Sequence, residues 1–405
     1  MSLRDVSDFT SESDSAELCR RSHGDTFGVR IACLLMSIAV SVAMLSVLYQ
    51  GRVVPDEVAL GNNATAVPSY FQGHRVSAWR FAEYPSVYAP AVDFPLQQEW
   101  LWLGNSQLHA INQPSAGDIP APGVASELVG FPVYGLSLPN ASLVEHLGVV
   151  QWALSRRQPS WVILPVVYDD LRNDEYRPGW EALQASSSDF IGRLKSTTAG
   201  AVLAKQIARE SKADTTLVQK TSLNGETSIF KWQFLAESCQ TKSEDALDSL
   251  LRERFLTWAR RDQMYAKLMA ETYHFRNWVF GITPQTKRAM IPQRFERNMA
   301  ALGEIADCCK SANIPLLIYV CPLRFDIEPP YIVADYEAWK ATVFDLASRK
   351  GAHFADLDRV VPGDVWGTFG SNIDFMHFRG EGHRILGTAI VNEVRRAAQY
   401  PTAKE

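Results

Sequence analysis

The chain has 405 residues, of which 46% are hydrophobic and 21% charged, and its formal net charge is −5. This composition excludes a chain that is disordered over its whole length, and the lack of net positive charge argues against a nucleic-acid-binding surface. The six cysteines include no Cys-x-x-Cys pair, so the sequence predicts neither a disulfide scaffold nor a zinc site.

An apolar segment near the N-terminus, 27–49, predicts a single transmembrane helix. Arg30 is its one charged residue, and the uncharged stretch 31–49 is about 28 Å long as a helix, close to the thickness of the hydrocarbon core. A cleavable signal peptide is the alternative. Signal peptides have a shorter apolar core than this segment, and 26 residues precede the segment here.

Basic residues decide the expected orientation of this helix. Arg20 and Arg21 precede it, whereas Arg52 after it is soon followed by two acidic residues. The positive-inside rule then leaves 1–26, rich in Ser, Asp and Glu, in the cytoplasm as a disordered tail. The sequence therefore predicts a single-pass membrane protein whose larger part lies on the periplasmic or other extracytoplasmic side. A stalk over 50–95 would join that part to the bilayer.

The remainder of the chain, 96–398, alternates predicted strands with predicted helices before a short tail over 399–405. Each predicted strand is a short apolar run that ends at glycine or polar residues, and the helices carry apolar residues at three- and four-residue spacing. This alternation predicts an α/β fold with a parallel sheet covered by helices on both faces. The predicted strands are 99–103, 131–134, 161–167, 315–320 and 353–357, and the predicted helices include one capped by Asn140 and others at 293–311, 334–349 and 382–398.

A long segment, about 175–290, interrupts this alternation. Its second part, 245–279, has helical spacing of apolar residues, and we interpret the insertion as a helical subdomain or lid. Trp258, Tyr273 and Trp278 in this part are compatible with stacking on sugar rings, although their helical spacing favours packing in a core.

Three polar side chains follow the first and last predicted strands. Ligands of open parallel sheets bind beyond the carboxyl ends of the strands, so we expect Ser106, Asp374 and His377 to meet there. A serine hydroxyl becomes a nucleophile when a histidine accepts its proton, and a carboxylate must orient that histidine. The sequence thus predicts Ser106 as nucleophile, His377 as base and Asp374 as the orienting carboxylate. We interpret the nearby His383 as a structural residue.

Three motifs resemble those of the SGNH (GDSL-like) hydrolase family, over about 96–172 and 293–398. They are Gly104-Asn105-Ser106, Gly135 after the second strand, and Asp374-Phe375-Met376-His377, in the family order. The resemblance implies a flavodoxin-like three-layer fold of the SGNH hydrolase type and ester chemistry. The sequence has no histidines and carboxylates at metal-ligand spacing and no glycine-rich phosphate loop, so we expect neither a metal ion nor a cofactor. The resemblance also implies an oxyanion hole formed by the backbone N–H groups of Ser106 and Gly135 and, normally, by an asparagine side chain.

The third family motif is altered in this chain. Where the family has Gly-x-Asn-Asp, this sequence has Tyr168-Asp169-Asp170, and an ionised aspartate cannot donate a hydrogen bond to an oxyanion. Asn173 is the nearest amide, so either a rebuilt turn brings Asn173 into the oxyanion hole or the third donor comes from elsewhere.

Two arginines near these strand ends are candidates for stabilising anionic charge. Arg172 and Arg324 could face a developing oxyanion, and the alternative is that each forms a salt bridge with a neighbouring aspartate.

Membrane-anchored, outer-facing proteins of this family type include the D-alanine transfer protein and the alginate O-acetylation proteins, which act beside a multi-pass membrane acyltransferase. By this resemblance, we expect a serine esterase or O-acyltransferase acting on acyl esters, acetyl above all, of a cell-envelope or exported polysaccharide. Hydrolysis and transfer share an acyl group on Ser106 and differ in the acceptor. The alternative is a catalytically weak binding or assembly protein of the same fold that supports a multi-pass O-acyltransferase, for which the insertion would be a docking element.

Overall fold

The computed structural model describes residues 64–88, 99–173, 176–177, 179–219, 275–282, 286–369 and 372–399, and positions 36, 247, 250, 251, 253–255, 258, 268 and 272. The predicted tail 1–26 and the predicted anchor 27–49, apart from Met36, lie outside the described residues. So do parts of the predicted stalk and insertion and the chain beyond Gln399. Within the described part of the chain, no helix combines the length and the apolar character needed to cross a bilayer.

Contacts between Cα atoms divide the chain into two compact units. One unit comprises Met1–Pro55 and Trp232–Arg276, and the other comprises Asp56–Lys231 and Asn277–Glu405. In the first unit, the described positions between 247 and 272 are helical except Phe255. The sheet and the candidate site described below belong to the second unit.

The strands of the second unit are short, and most of their residues are buried. They are β1 (Ala64–Ala66), β2 (Tyr70–Phe71), β3 (His74–Arg75), β4 (Ser77–Ala78), β5 (Trp100–Gly104), β6 (Ala110–Asn112), β7 (Val133–Ser137), β8 (Trp161–Val166), β9 (Leu316–Val320), β10 (His353–Asp356), β11 (Trp366–Phe369) and β12 (Asn372–Phe378).

Within the described residues, six of these strands form a parallel sheet in the order β10-β9-β8-β5-β7-β4. The five strands predicted from the sequence correspond to β5, β7, β8, β9 and β10. Numbered along the chain, these five lie in the order 2-1-3-4-5, which is the order of flavodoxin-like doubly wound sheets. The order reverses between β5 and β8, and ligands of such sheets bind at this switch point.

Helices cover both faces of the sheet. They are α1 (Tyr84–Val87), α2 (Ser106–His109), α3 (Ala121–Val129), α4 (Leu143–Arg156), α5 (Trp180–Ser186), α6 (Phe190–Lys195), α7 (Thr198–Gln219), α8 (Pro292–Ser311), α9 (Val333–Lys350) and α10 (Gly380–Gln399), with 3-10 turns at Asp170–Arg172 and Gly363–Val365.

Alternate residues of β5 show how the sheet separates two cores. Leu101 and Leu103 pack in one apolar cluster with residues of α4, α8 and α9. Trp100 and Trp102 pack in a second cluster, on the opposite face, with residues of α3 and α10. Since both faces of the central strand are buried, its sequence is continuously apolar rather than alternating.

Residues 64–88, predicted as part of a stalk, belong to the folded domain. β4 extends the parallel sheet beside β7, and β1 pairs with β6 in antiparallel orientation. Tyr84 is fully buried, and its hydroxyl donates a hydrogen bond to the Ser137 carbonyl at 2.7 Å. The sequence suggested a stalk here because Pro, Gly and Asn residues are scattered through it. Strands of two residues are too short to show a periodic pattern, so these elements could not be recognised from the sequence.

The helix that was expected to start at Asn140 is capped by Ser142 instead. The Ser142 Oγ accepts the backbone N–H of Glu145, and the Glu145 carboxylate accepts the backbone N–H of Ser142, both at 3.2 Å. This reciprocal capping box satisfies two backbone donors. Asn140 lies two positions earlier with φ of +52°, in a left-handed turn.

Candidate active site

A tight strand-to-helix turn places Ser106. β5 ends at Gly104, where an added Cβ atom would lie 2.5 Å from the Leu108 Cδ2, so the close approach of α2 requires glycine. Asn105 caps α2, since its Oδ1 accepts the backbone N–H of Gln107 at 2.9 Å. Ser106 is the first residue of α2 and is 5% exposed.

Asp374 and His377 come from β12, near the opposite end of the chain. The Asp374 Oδ1 accepts the backbone N–H groups of Met376 at 2.7 Å and of His377 at 3.1 Å. In a regular strand, residues three positions apart face opposite sides. These local hydrogen bonds turn the backbone, so that the side chains of Asp374 and His377 meet.

The structure brings the three predicted side chains into one hydrogen-bonded line. The His377 Nε2 lies 3.0 Å from the Ser106 Oγ, and the His377 Nδ1 lies 3.0 Å from the Asp374 Oδ2. All three side chains are buried. An Nδ1–H that donates to Asp374 leaves Nε2 free to accept the hydroxyl proton, which is the arrangement that general-base activation of a serine requires.

The Asp374 carboxylate has a further partner. The side-chain amide of Asn112 donates a hydrogen bond to the Asp374 Oδ2 at 2.8 Å. Burial alone would raise the pKa of Asp374, but the hydrogen bond and charge of His377 and two backbone N–H groups outweigh it and lower the pKa. Asp374 is therefore ionised at neutral pH. Sequence reasoning missed Asn112, because it belongs to no motif and β6 carries it to the site.

The structure does not bring Gly135 into the site as an oxyanion donor. Gly135 lies inside β7, and its backbone N–H donates to the Val76 carbonyl at 2.8 Å. This donor is already used by pairing with the strand segment that precedes β4. The expectation for Gly135 is corrected accordingly, whereas the role of the Ser106 N–H remains a prediction.

Asn173, the other expected donor, contacts neighbouring loops. Its Nδ2 lies 3.5 Å from the Asn140 carbonyl, and its own carbonyl accepts a hydrogen bond from the Asn298 side chain at 2.8 Å. These contacts give no support to Asn173 as the third donor, which remains unassigned.

Both arginine candidates form ion pairs. The Arg172 Nη1 binds the Asp169 Oδ1 at 3.1 Å, and its Nε donates to the Ala289 carbonyl at 2.9 Å. Arg324 makes a two-pronged contact with the Asp326 carboxylate at 3.0 and 3.2 Å. The salt-bridge alternative therefore describes both residues better than a charge-stabilising role does.

Asp170 departs from the charge expected of an aspartate. Its Oδ2 accepts a hydrogen bond from the Asn105 Nδ2 at 3.0 Å. Burial raises the pKa of Asp170 to about 8, with the nearby Asp169 charge adding to the rise and the Asn105 hydrogen bond opposing it. Asp170 thus carries a proton at neutral pH, so the expectation of an ionised aspartate at this position is wrong. Sequence could not show this, because the shift depends on burial.

His383 has the contacts of a structural residue. Its Nδ1 accepts the backbone N–H of Ala121 at 3.2 Å, and its Nε2 donates to the Ala110 carbonyl at 3.1 Å. Burial lowers the pKa of His383 to about 3, so the ring is neutral. Among the residues that the structure describes, no three His, Cys, Asp or Glu side chains are grouped so that they could hold a metal ion.

Comparisons with known proteins add little to this geometry. No protein-family model matches the chain, and no curated protein matches it. Among solved structures, a GDSL-like lipase from Bacteroides thetaiotaomicron is similar at 11% identity and a TM-score of 0.35, covering 78% of this chain and 100% of that chain. A single-substitution variant of an acetyl-xylooligosaccharide esterase from Geobacillus is similar at 9% identity and a TM-score of 0.33, covering 74% of this chain and 96% of that chain. At such TM-scores neither likeness carries weight: the fold is defined here by strand order, and the site by hydrogen-bond geometry.

Proposed function

We propose that the protein is a membrane-anchored serine esterase or O-acyltransferase that acts on acyl esters of a cell-envelope or exported polysaccharide. The observation that carries this proposal is the hydrogen-bonded line from Ser106 through His377 to Asp374. The resemblance of the surrounding motifs to SGNH (GDSL-like) hydrolases supports the ester chemistry. The apolar segment 27–49 supports the anchor and, with it, the bilayer as a partner and an extracytoplasmic site.

The chemistry follows from the three side chains. The Ser106 Oγ attacks the ester carbonyl carbon while the His377 Nε2 takes its proton, and Asp374 stabilises the imidazolium that forms. The imidazolium then gives this proton to the leaving alcohol, and the acyl group stays on Ser106. In the second step water or a sugar hydroxyl attacks the acyl carbon, His377 accepts its proton, and the Ser106 oxygen takes the proton back as the acyl group leaves.

The proposal is tested with the full-length chain in detergent. We expect hydrolysis of p-nitrophenyl acetate, covalent labelling of Ser106 by a fluorophosphonate, and loss of both in Ser106→Ala, with turnover falling by about 10³-fold or more. Ser115→Ala, at an exposed serine, is the matched control and should retain wild-type turnover. Undiminished turnover in Ser106→Ala would reject the assignment.

Hydrolase and transferase are separated by adding an acceptor. A transferase would move acetyl groups from the activated ester to an oligosaccharide, detected as a mass increase of the sugar, at the expense of free acetate. A hydrolase would release acetate at an unchanged rate.

A second function is favoured by one observation. The N–H of Gly135 is used inside the sheet, so the oxyanion hole lacks one expected donor. This supports a catalytically weak binding or assembly protein that assists a multi-pass membrane O-acyltransferase. Such a protein would resist the fluorophosphonate but would co-purify with an acyltransferase, and deletion of 245–279 should abolish the co-purification.

A further inference from the structure

A small cavity lies beside residues that are adjacent in sequence to the candidate triad. Its volume is about 10 Å³, measured as the space open to the centre of a water-sized sphere, which suits one water molecule or one hydroxyl group. Gln107, which follows Ser106, and Met376, which precedes His377, form part of its wall. The cavity therefore adjoins the immediate neighbours of both the nucleophile and the base.

Two side chains of this wall each carry a buried polar atom that has no hydrogen-bond partner in the described part of the chain. These atoms are the Gln107 Oε1 and the Trp339 Nε1. Gln107 is 3% exposed, and its Nε2 donates to the carbonyls of Pro322 and Met376, which fixes the oxygen as the unpaired end of the amide.

An unpaired buried polar atom destabilises the folded protein, so native proteins seldom retain such atoms without a ligand or a water molecule. The Gln107 oxygen is an acceptor, whereas the Trp339 N–H is a donor. A ligand that satisfies them must both donate and accept a hydrogen bond within the volume of one oxygen atom. A hydroxyl group meets these conditions, and a methyl group does not.

Aromatic stacking and hydrogen bonds hold the aromatic part of the cavity wall in position. The Tyr331 ring lies 4.6 Å from the Tyr168 ring and stacks on Tyr336 at 5.5 Å, measured between ring centroids. The Tyr331 hydroxyl donates to the Asp169 Oδ2 at 3.1 Å, and the same carboxylate oxygen pairs with Arg288. These contacts hold the aromatic wall in place, so the cavity cannot widen easily to admit a longer chain.

We propose that this cavity is a subsite that recognises one hydroxyl group of the ester substrate. The inference rests on the proposed ester chemistry at Ser106. The Gln107 Oε1 accepts the hydrogen of the substrate hydroxyl, and the Trp339 N–H donates to its oxygen. The hydroxyl belongs either to the acyl part of the ester, as in a 2-hydroxyacyl group, or to the alcohol part, as in a sugar that carries a free hydroxyl beside the ester.

Two pairs of esters distinguish these sources in the full-length protein. p-Nitrophenyl glycolate against p-nitrophenyl acetate varies a hydroxyl on the acyl side, and 2-hydroxycyclohexyl acetate against cyclohexyl acetate varies one on the alcohol side. We expect kcat/KM to favour the hydroxylated ester by about tenfold or more in one of the two pairs. Trp339→Phe, which removes the N–H and keeps an aromatic ring, should bring that ratio towards one.

Gln107→Met provides a second test, because it removes the acceptor at similar side-chain length, and it decides the question if Trp339→Phe fails to fold. Trp161→Phe, at the start of β8, is the matched control and should leave the ratio at its wild-type value. Ratios near one in both pairs, with all four esters cleaved, would overturn the subsite while leaving the esterase proposal intact. Failure to cleave any of the four would overturn the proposed function and the subsite with it.

Discussion

The side-chain amide of Asn105 donates a hydrogen bond to the Asp170 Oδ2 at 3.0 Å, across the point where the strand order of the sheet reverses. The other end of the same amide caps α2, whose first residue is Ser106. Asp170 thus orients the cap, and the cap sets the turn that presents Ser106, the proposed nucleophile. Asp170 is a positioning residue in this arrangement.

Exchange of the two side chains tests this relationship. Asn105→Asp alone places two carboxyl groups against each other and should lower kcat by about tenfold, an effect of roughly 1.4 kcal/mol. The double variant Asn105→Asp with Asp170→Asn restores one donor and one acceptor, and Asp is as good a helix cap as Asn. We therefore expect kcat of the double variant to recover most of the loss. A double variant no better than the single one would show that the pair does not act through this bond.

The pH dependence of stability should report the proton on Asp170. An unfolded aspartate titrates near pH 4, whereas burial raises the pKa of Asp170 to about 8 in the folded protein. Between these values folding takes up a proton, so this residue lowers stability progressively as pH rises from about 4 to about 8. Asp170→Asn cannot titrate, and we expect its melting temperature to rise relative to the wild type over this window. A constant difference between the two proteins from pH 5 to pH 8 would contradict the assignment.

Asn112 should matter for rate more than for binding. Its amide holds the Asp374 Oδ2 at 2.8 Å, so Asn112→Ala frees the carboxylate to rotate away from His377. We expect kcat to fall by about tenfold with KM little changed, and the acid limb of the pH–rate profile to shift. Gln113→Ala, at the exposed neighbouring position, controls for general disturbance of β6. Equal losses in both variants would count against a positioning role.

Asn298 should be important for stability. Its Oδ1 accepts the backbone N–H of Leu143, and its Nδ2 donates to the carbonyls of Leu171 and Asn173, so one buried side chain joins α8, α4 and the loop after β8. Asn298→Leu leaves these groups unpaired and should lower the free energy of unfolding by about 2–4 kcal/mol. Glu296→Ala, on the exposed face of α8, should change it by less than about 0.5 kcal/mol. Urea unfolding of both variants provides the measurement.

His146 makes the folded protein sensitive to acid. Burial and the charge of Arg177 lower its pKa to about 3, whereas an unfolded imidazole binds a proton near pH 6.5. Below about pH 6.5 the imidazole binds a proton in the unfolded chain but not in the folded chain. The free energy of unfolding therefore decreases as the pH is lowered from about 6.5 to about 3. Within the described residues, neither ring nitrogen of His146 has a hydrogen-bond partner. We expect His146→Leu to be no less stable at pH 7 and more stable than the wild type at pH 5.

His383 provides the contrasting control for this experiment. Its pKa is lowered in the same way, but both of its ring nitrogens have backbone partners. His383→Leu should consequently be destabilised at pH 7, by about 1–3 kcal/mol for the unpaired backbone groups. Thermal unfolding of both variants at pH 5 and pH 7 separates acid sensitivity from lost hydrogen bonds.

The sheet and the meeting of Ser106 with His377 could be predicted from the sequence for physical reasons. A run such as Trp161–Val166 is apolar on both faces because helices cover both faces, and this leaves a recognisable pattern. Parallel strands end at one edge of the sheet, so residues that follow the first and the last strand meet although they are far apart in the chain. These rules need no knowledge of side-chain contacts.

The other parts of the site depend on contacts that leave no local pattern. Asn112 reaches Asp374 from β6, which pairs with β1. A strand of three residues has no distinctive sequence, so the position of β6 could not be predicted. The N–H of Gly135 is used because the chain beside β4 runs alongside β7, which a prediction of a stalk excluded. The proton on Asp170 depends on burial, which only the folded arrangement determines.

Ser106 and His377 are separated by 271 positions along the chain. If Ser106 is activated by His377 as proposed, a nascent polypeptide that still lacks β12 holds an unactivated Ser106, even when the other strands have already formed. Labelling by a fluorophosphonate would then report that the chain has been synthesised and folded through β12. Ribosome-bound fragments and C-terminal truncations that lack β12 should not be labelled.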